Sequence, residues 1–169
     1  EEFFYAFNAL VEAHKQIVSL AGNAAGVLAL VGLDASRTRL ESASLGRFRI
    51  LHFATHAVAD SRDPALAMLG LSRWDESGKP LDGALRLHDI GRWQLNADLV
   101  VLSGCDTAVG REIAGEGPLG LSQAFLQAGA RSVVATLWQV PDSSTAVLMR
   151  EFYRHMLADG QDAAVALQL

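Results

Sequence analysis

Three short apolar runs, Phe48 to Ala54, Leu99 to Leu102 and Val133 to Leu137, are each followed by polar or glycine-containing residues. Runs of this length are strand-sized rather than helix-sized, and their nearly unbroken hydrophobicity is that of strands buried on both faces. Helical patterns lie around them. Strands that alternate with helices build a parallel sheet covered on both sides. The expected fold is a three-layer α/β/α sandwich with a mostly parallel central sheet.

The remaining segments fill in this plan. Phe3, Phe7, Leu10, His14 and Ile17, with Phe4, Val11 and Val18, recur at helical spacing and predict an amphipathic helix ending near Ala21-Gly22. Gly26 to Gly32 reads as a short buried strand, and Asp34 or Ser36 as the cap of a helix through about Ser44. Gly70, Gly78-Lys79-Pro80 and Asp82-Gly83 carry turn signals for a hairpin or long loop, followed by a short helix around Leu87 to Leu95. Leu119 to Ala128 has helical composition and stops at Gly129. Val147, Leu148, Phe152, Met156 and Leu157 mark one face of a last long helix that stops at Gly160. The pattern contains no internal repeat or linker, so 169 residues make one domain.

Composition narrows the classes of function. Fourteen basic against nineteen acidic residues, a formal charge of −5 and no Lys/Arg-rich run leave out the electrostatic footprint of a nucleic-acid binder. No apolar stretch reaches the roughly 18 residues of a membrane span. The single cysteine, Cys105, cannot form an internal disulfide and remains a thiol, which fits the cytoplasm.

Two of the strands end on residues able to do nucleophilic chemistry. One run continues through His52-Phe53-Ala54-Thr55 to His56, and another through Leu102-Ser103-Gly104 to Cys105. Ligand crevices of open α/β sheets lie outside the carboxyl ends of the strands, so parallel neighbours would hold both residues at one rim. An imidazole within reach takes the thiol proton or stabilises the thiolate, which then attacks a carbonyl. The backbone N–H groups of Cys105 and Ala57 are candidates for holding the developing oxyanion. The competing reading is a buried core thiol, the usual setting of a free cysteine.

The wider motifs sharpen this choice. His52-Phe53-Ala54-Thr55-His56, Leu102 to Gly110, Gly115-Glu116-Gly117-Pro118-Leu119-Gly120-Leu121 and Leu137-Trp138-Gln139-Val140-Pro141-Asp142 occur in order, with Ala124 to Ala130 between the last two. Together they closely resemble the CHAT family of caspase- and separase-like domains, over nearly the whole chain. Members are mostly bacterial, often follow tetratricopeptide repeats, and include cysteine peptidases switched on by a partner or sensor domain. The resemblance implies a caspase-like fold, a Cys105–His56 dyad, a protein or peptide substrate and no cofactor. The roughly 50-residue spacing from His to Cys is that of caspases, although the caspase string Gln-Ala-Cys is missing. Ala57 stands where the family usually has Gly, which would be strained if the site demanded a positive φ. Ser144, Thr145 and Ala146 stand where separases carry an acidic residue, so specificity for a basic side chain is not implied. The resemblance also implies truncation at both ends, with the family's first strand before residue 1 and a last strand after Leu169. A family member can also keep the dyad as a catalytically silent signalling or scaffold module beside repeat domains, and a thiol acyltransferase or esterase would use the same attack.

Other residues carry less. Asp142, at a helix start, reads as an N-terminal cap or as part of a substrate pocket, and Glu116 as a brace for the loop behind Cys105 or a solvated acid. His52 lies four residues before His56, roughly 13 Å away along an extended strand, too far for a shared metal. Asp106 is not expected to join the dyad, because neighbouring side chains on extended backbone alternate in direction. The Gly115-x-Gly117-x-x-Gly120 string follows a loop rather than a strand, which argues against a nucleotide site.

Overall fold

The computed structural model describes residues 3–7, 27–58, 66–103, 117–136 and 142–169. Five strands, β1 (Phe3–Phe7), β2 (Val27–Val31), β3 (Ile50–Ala54), β7 (Leu99–Leu102) and β8 (Val133–Ala135), form a sheet in the order β2-β1-β3-β7-β8. Every pairing in it is parallel. Chain order runs outward in opposite directions from β1, so the carboxyl ends of β1 and β3 flank a topological switch point, where α/β sheets place their ligand crevices.

One expectation is overturned here. Phe3 to Phe7 is a strand and not the start of an amphipathic helix: it pairs with β2 on one side and β3 on the other. Helical spacing among its aromatic residues competes with their preference for extended backbone, and two flanking ladders decide in favour of the strand. Phe3–Phe7 is the first described strand in chain order; the rest of the expected helix lies outside the described residues.

Alternation along β3 sorts the core into two layers. Leu51 and Phe53 join Val100 and Leu102 of β7 and face Leu121, Ala124, Phe125 and Ala128 of α3 (Gly117–Gln127). The Phe53 and Phe125 rings lie 5.3 Å apart, and burying a side chain of that size contributes roughly 1.5–3 kcal/mol. Ile50 and Ala54, with Leu99 and Val101, cluster with Met149, Phe152 and Tyr153 of α4 (Asp142–Tyr153) and Ala166 of the short terminal helix Ala163–Ala166. Helices on both faces of a parallel sheet make the three-layer α/β/α sandwich.

Turns follow the signals in the sequence. Ser36 caps the helix Arg37–Glu41, α1, its hydroxyl accepting from the Arg39 N–H. After α3 the chain passes Gly129 at φ +111, where an added Cβ would meet the Leu95 carbonyl oxygen at 2.3 Å. The Leu95 N–H donates to the Ala128 carbonyl at 2.7 Å, so this close approach ties the helix end to the segment leading into β7. Beyond Tyr153, α4 widens into a π-helical turn over Arg154–Ala158, and the chain turns at Gly160, φ +67.

The hairpin region forms a small antiparallel sheet, β4 (Ala57–Val58), β5 (Met68–Gly70) and β6 (Ala84–Arg86), followed by α2 (Leu87–Ile90). Arg37 of α1 reaches across to Asp89 of α2 at 2.6 Å, and the other Asp89 oxygen accepts from the Arg86 N–H at 3.1 Å. Asp89 is buried. This charge-assisted contact fastens the small sheet to the main body.

Candidate active site at the carboxyl rim of the parallel sheet

His56 leaves β3 at the switch-point rim, and its side chain is exposed. Its backbone is held by β5: the Gly70 N–H donates to the His56 carbonyl at 2.7 Å. The hydroxyl of the preceding residue, Thr55, buried, donates to the carbonyl of the same Gly70. Gly70 is therefore gripped through both its polar backbone groups by consecutive residues of the His56 segment. A Cβ added at Gly70 would make ordinary van der Waals contact with the His56 carbonyl oxygen at 3.4 Å and His56 Cβ at 3.8 Å, so β5 packs directly against the His56 backbone.

Ala57 stands opposite Leu69 in the antiparallel ladder. The Gly70-to-His56 bond flanks that pair, which makes it a non-hydrogen-bonded pair, and the Ala57 N–H is directed away from β5. Among the described residues, Ser44 is the non-glycine residue with positive φ. Ala57 thus adopts ordinary extended backbone, and the strain that a side chain in place of glycine would bring does not arise.

Neighbouring β7 ends in register with β3. Phe53 pairs with Leu102 in register, and the Ser103 N–H donates to the Phe53 carbonyl at 3.1 Å. His56 follows Phe53 by three positions, and Cys105 follows Leu102 by three. Cys105 and Glu116 lie outside the described residues. Asp142 is the first residue of α4, the helix start expected of it. His56 is thereby brought to the rim with Ala57 beside it, on backbone fastened to β5.

A buried polar network on β3 escaped the sequence reading, which weighed His52 only as a metal ligand. His52, fully buried, places Nε2 2.5 Å from the Ser103 hydroxyl and Nδ1 3.1 Å from the Tyr153 hydroxyl. The His52 and Tyr153 ring centroids are 5.6 Å apart. Burial pushes the Tyr153 phenol well up, so it stays a neutral hydroxyl. The available signal was a histidine in the middle of an apolar strand: a polar side chain there needs partners, because an unpaired buried donor or acceptor costs about 1–3 kcal/mol.

Among the described residues no cluster of three or more His, Cys, Asp or Glu could hold a metal ion, and no helix is long and apolar enough to cross a membrane.

The CHAT domain family model matches residues 2–169, and the chain belongs to that family. Tetratricopeptide repeat protein 28 of Mus musculus is 38% identical over 83 residues, covering 49% of this chain and 3% of that protein. Its Homo sapiens counterpart is 35% identical over 83 residues, with the same shares. The chain thus spans only a small part of the length of these curated relatives. Among solved structures, a flavodoxin of Streptococcus pneumonia TIGR4 aligns with a TM-score of 0.51 at 12% identity, over 94% of this chain and 99% of that one. That likeness is one of fold: the five parallel strands described here, numbered along the chain, follow the flavodoxin-like order 2-1-3-4-5.

Proposed function

We propose that this chain is a cysteine endopeptidase domain in which Cys105 is the nucleophile and His56 its base. The observation that carries the reading is the register of β3 and β7. Phe53 pairs with Leu102, and the exposed imidazole of His56 and the thiol-bearing Cys105 follow those paired residues at the same three-residue interval.

The chemistry runs in two halves. His56 takes the Cys105 proton, and the thiolate adds to the scissile carbonyl, putting negative charge on its oxygen. The N–H groups of Ala57 and Cys105 stabilise that oxyanion, an effect on the order of 10² to 10³ in rate. Collapse breaks the C–N bond as His56 returns its proton to the leaving amine, leaving a thioester on Cys105. His56 then removes a proton from water, which attacks the thioester and releases the acid and the thiol. Asp142, opening α4, borders the substrate pocket, and Glu116, just ahead of α3, braces the loop behind Cys105. The substrate is a protein or peptide. A repeat domain regulates the activity, a reading supported by the two relatives being tetratricopeptide repeat proteins.

The test is the pH dependence of Cys105 alkylation by iodoacetamide, in wild type and in a folded His56→Ala variant. Expected is an apparent thiol pKa below the free-cysteine value of about 8.5 that moves up toward it without His56. Identical curves in the two proteins would overturn the dyad and favour a non-catalytic interaction module.

A further inference from the structure

The inner face of β3 carries one polar side chain, His52, among Ile50, Ala54, Leu99, Val101, Met149 and Phe152. An apolar residue would suit that layer for packing alone, since buried polar networks are often no more stabilising than well-packed hydrophobic side chains. What such a network adds is direction: in either tautomer one imidazole nitrogen donates and the other accepts, so both partners must sit at defined positions.

Those partners come from separate elements. Tyr153 is on α4, 101 residues away in sequence, and Ser103 is the first residue beyond β7, 51 residues away. Ser103 is held twice, through its N–H to Phe53 and its hydroxyl to His52. Two residues further along the chain is Cys105.

We propose that His52 is a positioning residue: braced by Tyr153, it fixes Ser103 and thereby the point at which the chain leaves β7, two residues ahead of Cys105. This rests on the reading of Cys105 as the nucleophile. His52 touches no reacting atom. It ties β7, the strand ahead of Cys105, to β3, the strand ahead of His56, so both dyad residues are referenced to one strand. Tyr153 extends that reference to α4, the helix that Asp142 opens.

The same alkylation experiment, applied to Ser103→Ala, Tyr153→Phe, the double variant and Ser103→Thr, separates this role from simple stabilisation. Two quantities are read from each pH–rate curve of folded protein: the midpoint and the plateau at high pH. Ser103→Ala is expected to raise the midpoint, with about a fivefold loss of alkylation rate at neutral pH, the loss of one hydrogen bond. Ser103→Thr, which keeps the hydroxyl, should restore it. Tyr153→Phe should act in the same direction but add nothing in the Ser103→Ala background, because it works through the same chain. If Ser103→Ala and Tyr153→Phe superimpose on wild type while His56→Ala shifts the midpoint, the dyad stands and the positioning role is overturned. Effects of the two substitutions that simply multiply would overturn it as well. If His56→Ala leaves the midpoint unmoved, the dyad falls, and the plateau decides: a change in Ser103→Ala that Ser103→Thr reverses supports the anchor, and an unchanged plateau removes it.

Discussion

Phe53 of β3 stands in register with Leu102 of the neighbouring parallel strand. Beyond that pair the two strands diverge into different environments. The β3 side is fastened at once to β5 through Thr55, His56 and Gly70, whereas the β7 side is tied back to β3 by Ser103. Each of the two strand ends is thus fastened by hydrogen bonds to a neighbouring strand.

For catalysis, Cys105→Ala should abolish peptide cleavage, and His56→Ala should lower kcat by roughly 10² to 10⁴. Cleavage of a peptide library by wild type and both variants checks this. Undiminished turnover in either variant removes that residue from the mechanism.

Thr55→Val keeps the shape of the side chain and deletes the hydroxyl that Gly70 accepts. A loss of about 1 kcal/mol in urea unfolding is expected, with Thr55→Ser closer to wild type. Because the change acts on the backbone beneath His56, kcat should fall while KM stays near its wild-type value.

Asp89→Asn removes the buried negative charge that faces Arg37, whose guanidinium also meets Glu41, and should cost about 1–3 kcal/mol at neutral pH. Burial, the largest influence on the Asp89 carboxyl, pushes its pKa up, but the Arg86 N–H and the Arg37 guanidinium together hold it below its ordinary value. A carboxyl depressed in this way stabilises the fold fully above its unfolded pKa, about 4. That contribution is lost as pH falls through the lower folded value. The stability difference between wild type and Asp89→Asn should therefore be flat above about pH 5 and shrink below pH 4. A difference that grew on acidification would contradict this.

Gly129→Ala should destabilise the domain by about 2 kcal/mol or more, since φ +111 disfavours any side chain and the Leu95 carbonyl occupies the space for a Cβ. Gly78→Ala, at φ +79 but with open space around it, should cost less. Thermal melts of the two variants give the comparison.

Much of this architecture was legible locally. Apolar runs too short for helices marked β3, β7 and β8, glycine marked the end of α3, and Asp34 or Ser36 marked the start of α1, which the structure places at Ser36. The expected strand at Val133 to Leu137 overlaps the observed Val133–Ala135. The same runs put His56 and Cys105 just past the ends of two strands, because strand length and the polar residues that stop a strand are properties of neighbouring residues.

Tertiary structure decided the rest. Phe3 to Phe7 carries both helical spacing and strand-forming side chains, and only pairing with β2 and β3 makes it a strand. The order β2-β1-β3-β7-β8 pairs residues 24 to 49 positions apart, and the His52 contacts to Ser103 and Tyr153 and the Arg37–Asp89 ion pair join residues 51 to 101 positions apart, in the contacts that hold the rim and its supports. A sequence pattern reports which face of a strand is apolar. Which distant segment fills that face, and which donor meets a polar atom buried within it, is set only when the layers close around the sheet.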